Sequence, residues 1–244
     1  MSRSKSTVPA LITCEHASNA VPARWRSLFA GSEAVLAGHR GWDPGALDVA
    51  RALAAALEAP LLAGSATRLL IDLNRSAGHP RRFSEWTRSL PRRERDLIER
   101  EWWLPHWRAF ASCIESAPGR LVHIACHSFT PVLDGRERRF DLGLLYDPAR
   151  SVERHFAREL SRRLKERFPD LATRMNQPYL GTANGIGQQH RRRFGADRLL
   201  TLELEISQAL VDRSDWPRLA GELARVVAEA ISDDAGYGVS CASA

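Results

Sequence analysis

Short apolar runs alternate along this chain with segments of helical periodicity, a pattern typical of folds in which helices cover a sheet. Turn residues bound the runs, which predicts strands over 9–14, 68–73, 121–126, 142–146 and 199–206. Helices are predicted over 45–57, 92–116, 148–167 and 216–232, the second kinked or broken near Pro105. No linker or repeat divides the 244 residues. We therefore expect one α/β domain over residues 8–233, with flexible ends at 1–7 and 234–244.

The composition excludes several classes of protein. Apolar residues make up 44% and charged residues 26%, which is ordinary for a globular chain and excludes a collagen-like or largely disordered one. The apolar runs are far shorter than the roughly 20 residues that span a bilayer, and the N-terminus lacks the apolar core of a secretory signal. The four cysteines show no CxxC spacing, so we expect reduced thiols. These features predict a soluble cytoplasmic protein with no membrane partner.

The chain is basic, with a formal net charge of +6, and all but two of its 35 basic residues are arginines. Such a balance raises nucleic-acid binding as a function. The arginines are dispersed, however, and most lie beside acidic residues on predicted helices. We expect a solvated surface and no nucleic-acid partner, and keep a basic nucleic-acid-binding protein as the alternative from a different class. The sequence carries no signal of oligomeric state.

Polar residues that can bind ligands follow several of the predicted strands. Glu15 and His16 come directly after the first strand, and His127 comes at the end of the strand that also contains His123. In open α/β sheets, ligands bind at the carboxyl ends of the strands. A capped turn would also account for Glu15 and His16. The mid-strand His123 is expected to be a hydrogen-bonded core residue, which leaves His127 as the better ligand.

Two further segments place polar side chains on one face of a predicted strand. Asn74 and Arg75 follow the apolar run 68–73, where a guanidinium group can hold a carboxylate through two parallel hydrogen bonds. A structural ion pair between Asp72 and an arginine is the alternative. Glu203 and Glu205 share one face of the last strand, which is costly in a sheet interior unless the carboxylates are paired or functional. A half-exposed strand would explain them without any chemistry.

Asp43 lies in the segment Trp42-Asp43-Pro44-Gly45-Ala46, just before a predicted helix. It is placed either to cap that helix, with Pro44 in the first turn, or to bind a metal ion. No phosphate-binding glycine loop, GxSxG nucleophile turn or HExxH zinc motif occurs. Two histidines and one carboxylate would nevertheless complete the protein ligands of a catalytic zinc ion, with one position left for water.

Five segments in order resemble the blocks of the N-formylglutamate amidohydrolase family. They are Cys14-Glu15-His16-Ala17-Ser18-Asn19, Trp42-Asp43-Pro44-Gly45-Ala46, Ile71-Asp72-Leu73-Asn74-Arg75, His127-Ser128-Phe129-Thr130-Pro131 and Glu205-Ile206. The resemblance covers residues 10–212 and is nearer to the branch with the His-Ser-Phe-Thr-Pro block than to the histidine-degradation enzymes. It implies a single-domain mixed sheet flanked by helices, similar to zinc carboxypeptidases and phosphorylase/hydrolase-like proteins.

The resemblance also implies a role for particular residues. One zinc ion per chain would be held by His16, Asp43 and His127, with Glu15 as the alternative carboxylate ligand. Glu205 would be the general base, and Asn74 and Arg75 would bind the carboxylate of the substrate. His190 and Arg192 lie in a segment similar to the loop near the base in this family, which suggests contact with the substrate. The residue that stabilises the oxyanion is left open between Arg40 and Arg192.

The implied reaction is zinc-dependent hydrolysis of an N-formyl or other N-acyl group from a small-molecule amino acid. N-formyl-L-glutamate, for example, would give formate and the free amino acid. A related zinc peptidase or amidase that acts on other acyl-amino acids or peptides is the alternative within the same chemistry. A scaffold that has lost catalysis is a further reading, although the ligand set is complete.

Overall fold

A six-stranded sheet forms the centre of the protein in a computed structural model, which describes residues 8–237 and their side chains as far as residue 234. In chain order its strands are β1 (Ala10–Cys14), β2 (Leu61–Ala63), β3 (Leu121–Phe129), β6 (Leu142–Leu145), β7 (Thr173–Met175) and β8 (Leu199–Ser207), and a separate hairpin is formed by β4 (Val132–Leu133) and β5 (Arg136–Glu137). Across the sheet the order is β2-β1-β3-β8-β6-β7. Only the β6–β8 pairing is antiparallel, so β6 and β7 run against the other four strands.

Helices cover both faces of this sheet. They are α1 (Glu33–Ala37), α2 (Ala46–Leu57), α3 (Arg92–Ile98), α4 (Leu104–Ser116), α5 (Ser151–Arg167), α6 (Ile186–Arg191), α7 (Gln208–Val211) and α8 (Trp216–Tyr237), with a 3₁₀ segment at Ala23–Phe29 and a π-helical segment at Glu99–Trp103. The expected mixed α/β fold with flanking helices is confirmed. Among the described residues, no helix is both long enough and apolar enough to cross a bilayer. The ends expected to be flexible lie largely outside the described residues, and α8 continues through 234–237.

The two faces of the sheet differ in polarity because side chains alternate along each strand. One face is the main apolar core, in which Leu200, Leu202, Leu204 and Ile206 of β8 pack with residues of α2, α5 and α8. The opposite face carries polar residues, and its middle is closed by hydrogen bonds. There His123 Nε2 lies 2.9 Å from Thr13 Oγ1, and His123 Nδ1 lies 2.6 Å from Thr201 Oγ1. His123 is therefore the paired core residue that the sequence predicts.

The prediction of a strand over 68–73 is wrong. Those residues form turns, and Leu69, Leu70, Ile71 and Leu73 are buried in a second apolar cluster outside the sheet. A short buried apolar run has the same sequence pattern whether it forms a strand of a sheet or packs beneath a loop, so periodicity does not distinguish the two. The sheet instead contains β2, a three-residue edge strand that alternation could not reveal. The remaining four predicted strands are confirmed, with ends that differ by a few residues.

The helix predicted over 92–116 is confirmed as a continuous helical segment with an irregularity before Pro105. The π-helical segment Glu99–Trp103 separates α3 from α4 there. Proline has no backbone N–H to donate, and its ring crowds the carbonyl four residues earlier, so a local widening of the helix is the expected response.

Asp43 does not cap α2. That helix begins at Ala46, and Gly45 occupies the position before it with φ of 76°, a left-handed conformation that favours glycine. A Cβ atom at Gly45 would lie 2.5 Å from Val211 Cγ2, so a side chain is excluded as well. The turn at Gly45 leaves the Asp43 carboxylate free to face the carboxyl ends of β1 and β3.

A buried ion pair joins α5 to the end of α6, and further hydrogen bonds from its arginine reach β8 and the segment that precedes α6. Arg191 Nε donates to both carboxylate oxygens of Glu153 at 3.0 Å, and Arg191 Nη2 donates to the carbonyl of Thr201 at 2.9 Å. A further donor of the same guanidinium group binds the carbonyl of Gly181. Glu153 is fully buried, and the Arg191 side chain is nearly so, so the loss of Glu153 would leave the Arg191 charge uncompensated in the interior.

Glu153→Ala is expected to lower the free energy of unfolding by about 3–5 kcal/mol, since Arg191 would stay buried without its carboxylate. Equilibrium urea unfolding measures this loss. Glu159→Ala is the matched control, because Glu159 lies on the same helix and also pairs with two arginines, but at the surface. The control should lose far less stability, since exposed pairs are weak. Equal losses in the two variants would contradict the assignment.

Candidate metal centre and cleft

Three buried side chains converge at the carboxyl ends of β1 and β3. His16 follows β1 by two residues, His127 lies near the end of β3, and Asp43 lies in the loop before α2. The backbone N–H of Asp43 donates to the carbonyl of His16 at 3.0 Å, which fixes this loop against the end of β1. The topology thus brings together residues that are up to 111 positions apart in the chain.

The three side chains present a compact set of donor atoms. Asp43 Oδ2 lies 3.2 Å from His16 Nδ1 and 2.9 Å from His127 Nδ1. One ligand atom from each of the three residues lies within 4.8 Å of the others, so a single metal ion could contact all three. Two imidazole nitrogens and a carboxylate oxygen form a donor set that suits zinc. Geometry and donor chemistry therefore both fit one such ion.

A second carboxylate lies behind each imidazole ring. His16 Nε2 is 2.8 Å from Asp72 Oδ1, and His127 Nε2 is 3.2 Å from Glu15 Oε2. A carboxylate on the remote nitrogen keeps the proton there, so that Nδ1 has a free electron pair for a metal ion. These contacts favour Asp43 over Glu15 as the carboxylate ligand. Asp43 is on the convergent side, whereas Glu15 is behind His127 and 3.4 Å from His106 Nε2.

The charges of this cluster stabilise one another. Burial alone would raise the pKa of Asp43, but the nearby His16, His127 and Arg68 lower it well below its usual range. The pKa of His127 is raised despite burial, because Asp43 and Glu15 both interact with its ring. Arg68 Nη2 donates to Asp72 at 2.8 Å, and Arg68 Nη1 lies 3.5 Å from Asp43. Arg68 thus compensates two of the buried carboxylates, and its pair with Asp72 is the structural ion pair that the sequence left open.

Glu205 lies beside this cluster on the neighbouring strand. It is the register partner of His127 in the parallel β3–β8 pair, and so both side chains are on the same face of the sheet. Burial raises the pKa of Glu205 to about 7, with Asp43 and Glu203 contributing and His127 opposing. Its Oε2 atom is buried and has no hydrogen-bond partner among the described residues. A carboxyl group with such a pKa can accept and return a proton near neutral pH.

These residues line one side of a cleft of about 320 Å³. Arg75 lies in its wall and is fixed by hydrogen bonds from Nη1 to the carbonyls of Asn74 and Asn184, both at 2.8 Å. Asn74 also lines the cleft, but its Oδ1 atom is already used, because it accepts from the N–H of Ile186 at 2.8 Å. Arg75 is the charged member of the pair and can bind an anionic ligand directly.

The structure does not bring the other candidate residues into the cleft. His190 is buried in a different cluster. Its ring packs at a tilt against Phe110, with centroids 4.3 Å apart, and its Nδ1 donates to the carbonyl of Ile186. Arg192 is exposed directly after α6, and Arg40 is exposed and paired with Glu85. The cleft instead contains Arg81, Tyr179 and Leu180, which no motif in the sequence singles out.

Comparison with known proteins places the chain in a family. The model of a family of amide-bond hydrolases matches residues 8–211, most of the chain, so this protein is a hydrolase that acts on amide bonds. That family is N-formylglutamate amidohydrolase, and the chain belongs to it. No curated protein matches the chain at a significant level.

Two solved structures are similar over nearly the whole chain. A gene product of Agrobacterium tumefaciens is 28% identical with a TM-score of 0.78, and the match covers 93% of this chain and 91% of that one. The N-formylglutamate amidohydrolase from Ralstonia eutropha is 19% identical with a TM-score of 0.65, and the match covers 96% of both chains. The second likeness shows a shared fold.

Glu15→Gln is expected to weaken zinc binding by about 10–100-fold, because an amide holds the remote nitrogen of His127 less firmly than a carboxylate does. Titration of the metal-free protein with zinc in the presence of a competing chelator measures the affinity. Glu203→Gln is the control, since Glu203 lines the same cleft but makes no hydrogen bond to His16 or His127 in the described chain. An unchanged affinity in Glu15→Gln would contradict the role of Glu15.

Proposed function

We propose that this protein is a zinc-dependent amidohydrolase that removes the N-formyl group from an amino acid. N-formyl-L-glutamate is the reference substrate, and the products are formate and the free amino acid. The observation that carries the proposal is the convergence of two imidazole Nδ1 atoms and the Asp43 carboxylate beside the unpaired Glu205 carboxyl group, within a cleft that also contains Arg75. Membership in the N-formylglutamate amidohydrolase family supports the choice of reaction.

His16, Asp43 and His127 would hold the zinc ion, one per chain. When bound, zinc supplies Lewis acidity that polarises a carbonyl oxygen and lowers the pKa of water towards about 7. Asp72 and Glu15 keep the two imidazole rings oriented, and Arg68 offsets the negative charge of Asp43 and Asp72. All of these groups are buried or partly buried, so their attraction is screened less than at the surface.

Glu205 would act as general base and then as general acid. It takes a proton from the water molecule whose oxygen attacks the formyl carbon, and later gives that proton to the amine as the carbon–nitrogen bond breaks. Its raised pKa suits both steps, because both the ionised form, which accepts a proton, and the protonated form, which donates one, are populated near pH 7. The register pairing with His127 keeps Glu205 next to the metal ligands.

Arg75 would hold the α-carboxylate of the substrate. Two backbone carbonyls fix its guanidinium group through Nη1, and it forms no ion pair with a carboxylate among the described residues, so the group is oriented and still able to take an anion. Binding of the α-carboxylate to Arg75 orients the substrate and thereby positions its scissile amide relative to Glu205.

The arginines do not favour the alternative of nucleic-acid binding. Arg81 and Arg82 are adjacent in sequence, yet Arg81 is exposed and Arg82 is buried against Glu99. Arg191 is likewise turned into the interior by Glu153, while Arg192 remains at the surface. Each of these two arginine pairs is therefore divided between interior and surface. Arg92 and Arg93 are both exposed on α3, where Arg92 pairs with Asp96.

Metal content is the first test of the proposal. The purified protein is expected to contain about one zinc ion per chain by mass spectrometry, and His127→Ala prepared in the same way is expected to lose it. Substitution of His155, an exposed histidine outside the cleft, should leave the content unchanged. No zinc in the wild-type protein, even after reconstitution, would contradict the ligand assignment.

Glu205→Gln is expected to lower kcat for formate release by at least about 100-fold while zinc content stays at one ion per chain, because the amide cannot transfer the proton. Formate release from N-formyl-L-glutamate and metal content are measured on the same preparation. Turnover close to that of the wild-type protein would show that Glu205 is not the base.

A further inference from the structure

The residues that line the cleft form two groups of different character, which meet where Arg75 Nη1 donates to the carbonyl of Asn184. Residues 68–81 form one of them and supply the guanidinium groups of Arg68, Arg75 and Arg81. Residues 128–133 and 179–184 form the other, and every side chain that they contribute is uncharged. We name its four large side chains the apolar lip: Phe129, Leu133, Tyr179 and Leu180. A ligand with a carboxylate at one end and an apolar group at the other matches this division.

Two of the four side chains of the apolar lip are unusually exposed for their size, whereas Phe129 is buried. Tyr179 is 48% and Leu180 is 63% exposed, and only Val132 among the other large apolar residues of the described chain is comparable, at 49%. Val132 precedes Leu133 in β4 but does not line the cleft, as expected from the alternation of side chains along a strand. An exposed apolar patch that continues directly into a cleft is typical of a ligand site.

The lip is held in shape by an arginine that does not face the ligand. The Arg138 guanidinium group lies over the rings of both Phe129 and Tyr179, at 5.8 and 5.4 Å from their centroids. Phe129 also stacks on Phe140, with centroids 4.8 Å apart. The guanidinium charge of Arg138 is thus in contact with two rings of the lip, which fixes the position of Tyr179.

We propose that the enzyme prefers N-formyl amino acids with a large apolar side chain, such as leucine or phenylalanine, over those with an acidic side chain. This inference rests on the proposed function and specifies its substrate class. The α-carboxylate binds Arg75, the formyl group lies at Glu205, and the side chain of the substrate packs on the apolar lip. Burial of two apolar surfaces against each other provides the selectivity.

An acidic side chain has little to gain in this cleft. Arg68 is already paired with Asp72 and Asp43, and Arg75 binds the α-carboxylate. Arg81 is the remaining guanidinium group, but it is exposed, and an ion pair at an exposed position is screened by solvent. The carboxyl groups of Glu203 and Glu205 also line the cleft and disfavour a second negative charge.

The test compares N-formyl-L-leucine with N-formyl-L-glutamate. Zinc-loaded wild-type protein is expected to show at least about a tenfold higher kcat/KM for the leucine compound. Leu180→Asn should lower kcat/KM for that compound roughly tenfold and change the glutamate compound less than about twofold. Val132→Asn is the matched control outside the lip, and should leave the ratio unchanged. Calorimetric dissociation constants for both compounds are measured in parallel with Glu205→Gln, which binds without turnover.

The outcomes separate this inference from the proposed function. Absence of formate release from both compounds would overturn the proposed function, and the dissociation constants would still decide whether the lip selects apolar side chains. A preference for the glutamate compound in turnover and affinity, especially one abolished in Arg81→Gln, would overturn the inference. An equal loss of kcat/KM for both compounds in Leu180→Asn would also overturn the inference. A change in the oligomeric state of Leu180→Asn, with the ratio of the two kcat/KM values intact, would overturn it too and would identify the lip as a contact between copies.

Discussion

The carboxylate of Asp43, held between two imidazole rings and near a guanidinium group, is the interaction on which the site depends. Burial of a lone carboxylate is strongly unfavourable, and here it is offset because His16, His127 and Arg68 surround it. The arrangement requires that two strand ends and a loop meet, and the left-handed turn at Gly45 allows the loop to do so. The charges of the cluster and the backbone that positions them are therefore coupled.

The polar face of the sheet extends this coupling into the interior. Along β1, β3 and β8 it carries Thr13, His123 and Thr201, which bond to one another, and then the ionisable groups at the strand ends. Because the opposite face is uniformly apolar, a slip of one residue in the register of β8 would bury leucines on the polar side and move Glu205 away from His127. The apolar pattern that stabilises the fold thus also fixes the distance between these two groups.

Much of the fold and part of the candidate site could be predicted from sequence. Polar residues at the ends of predicted strands indicated His16 and His127, the shared face of the last strand indicated Glu205, and the structure brings these together with Asp43. Their convergence was predictable because parallel strands place their carboxyl ends at one edge regardless of the intervening chain. Their chemical roles stay predictions. The family resemblance is confirmed by the match over residues 8–211.

What the sequence did not indicate depends on loops. The run 68–73 was predicted as a strand but packs as a turn, and that turn is what brings Asp72 to His16 and places Arg68 near Asp43. His190 lies in a promising segment, yet it is drawn into an aromatic cluster by Phe110. The apolar lip comes from two segments with no periodicity of their own. Such contacts are set by tertiary packing, which local patterns do not encode.

The hydrogen bonds of Arg191 limit how a ligand can enter the cleft. Its guanidinium group ties Gly181 to the interior through Glu153 and Thr201, so the segment that carries Tyr179 and Leu180 is anchored directly beside them. Outward swinging of that segment would require the hydrogen bond between the Arg191 guanidinium group and the Gly181 carbonyl to break. The wall is therefore preformed, and a ligand meets it without first ordering a loop, which keeps the entropic cost of binding low.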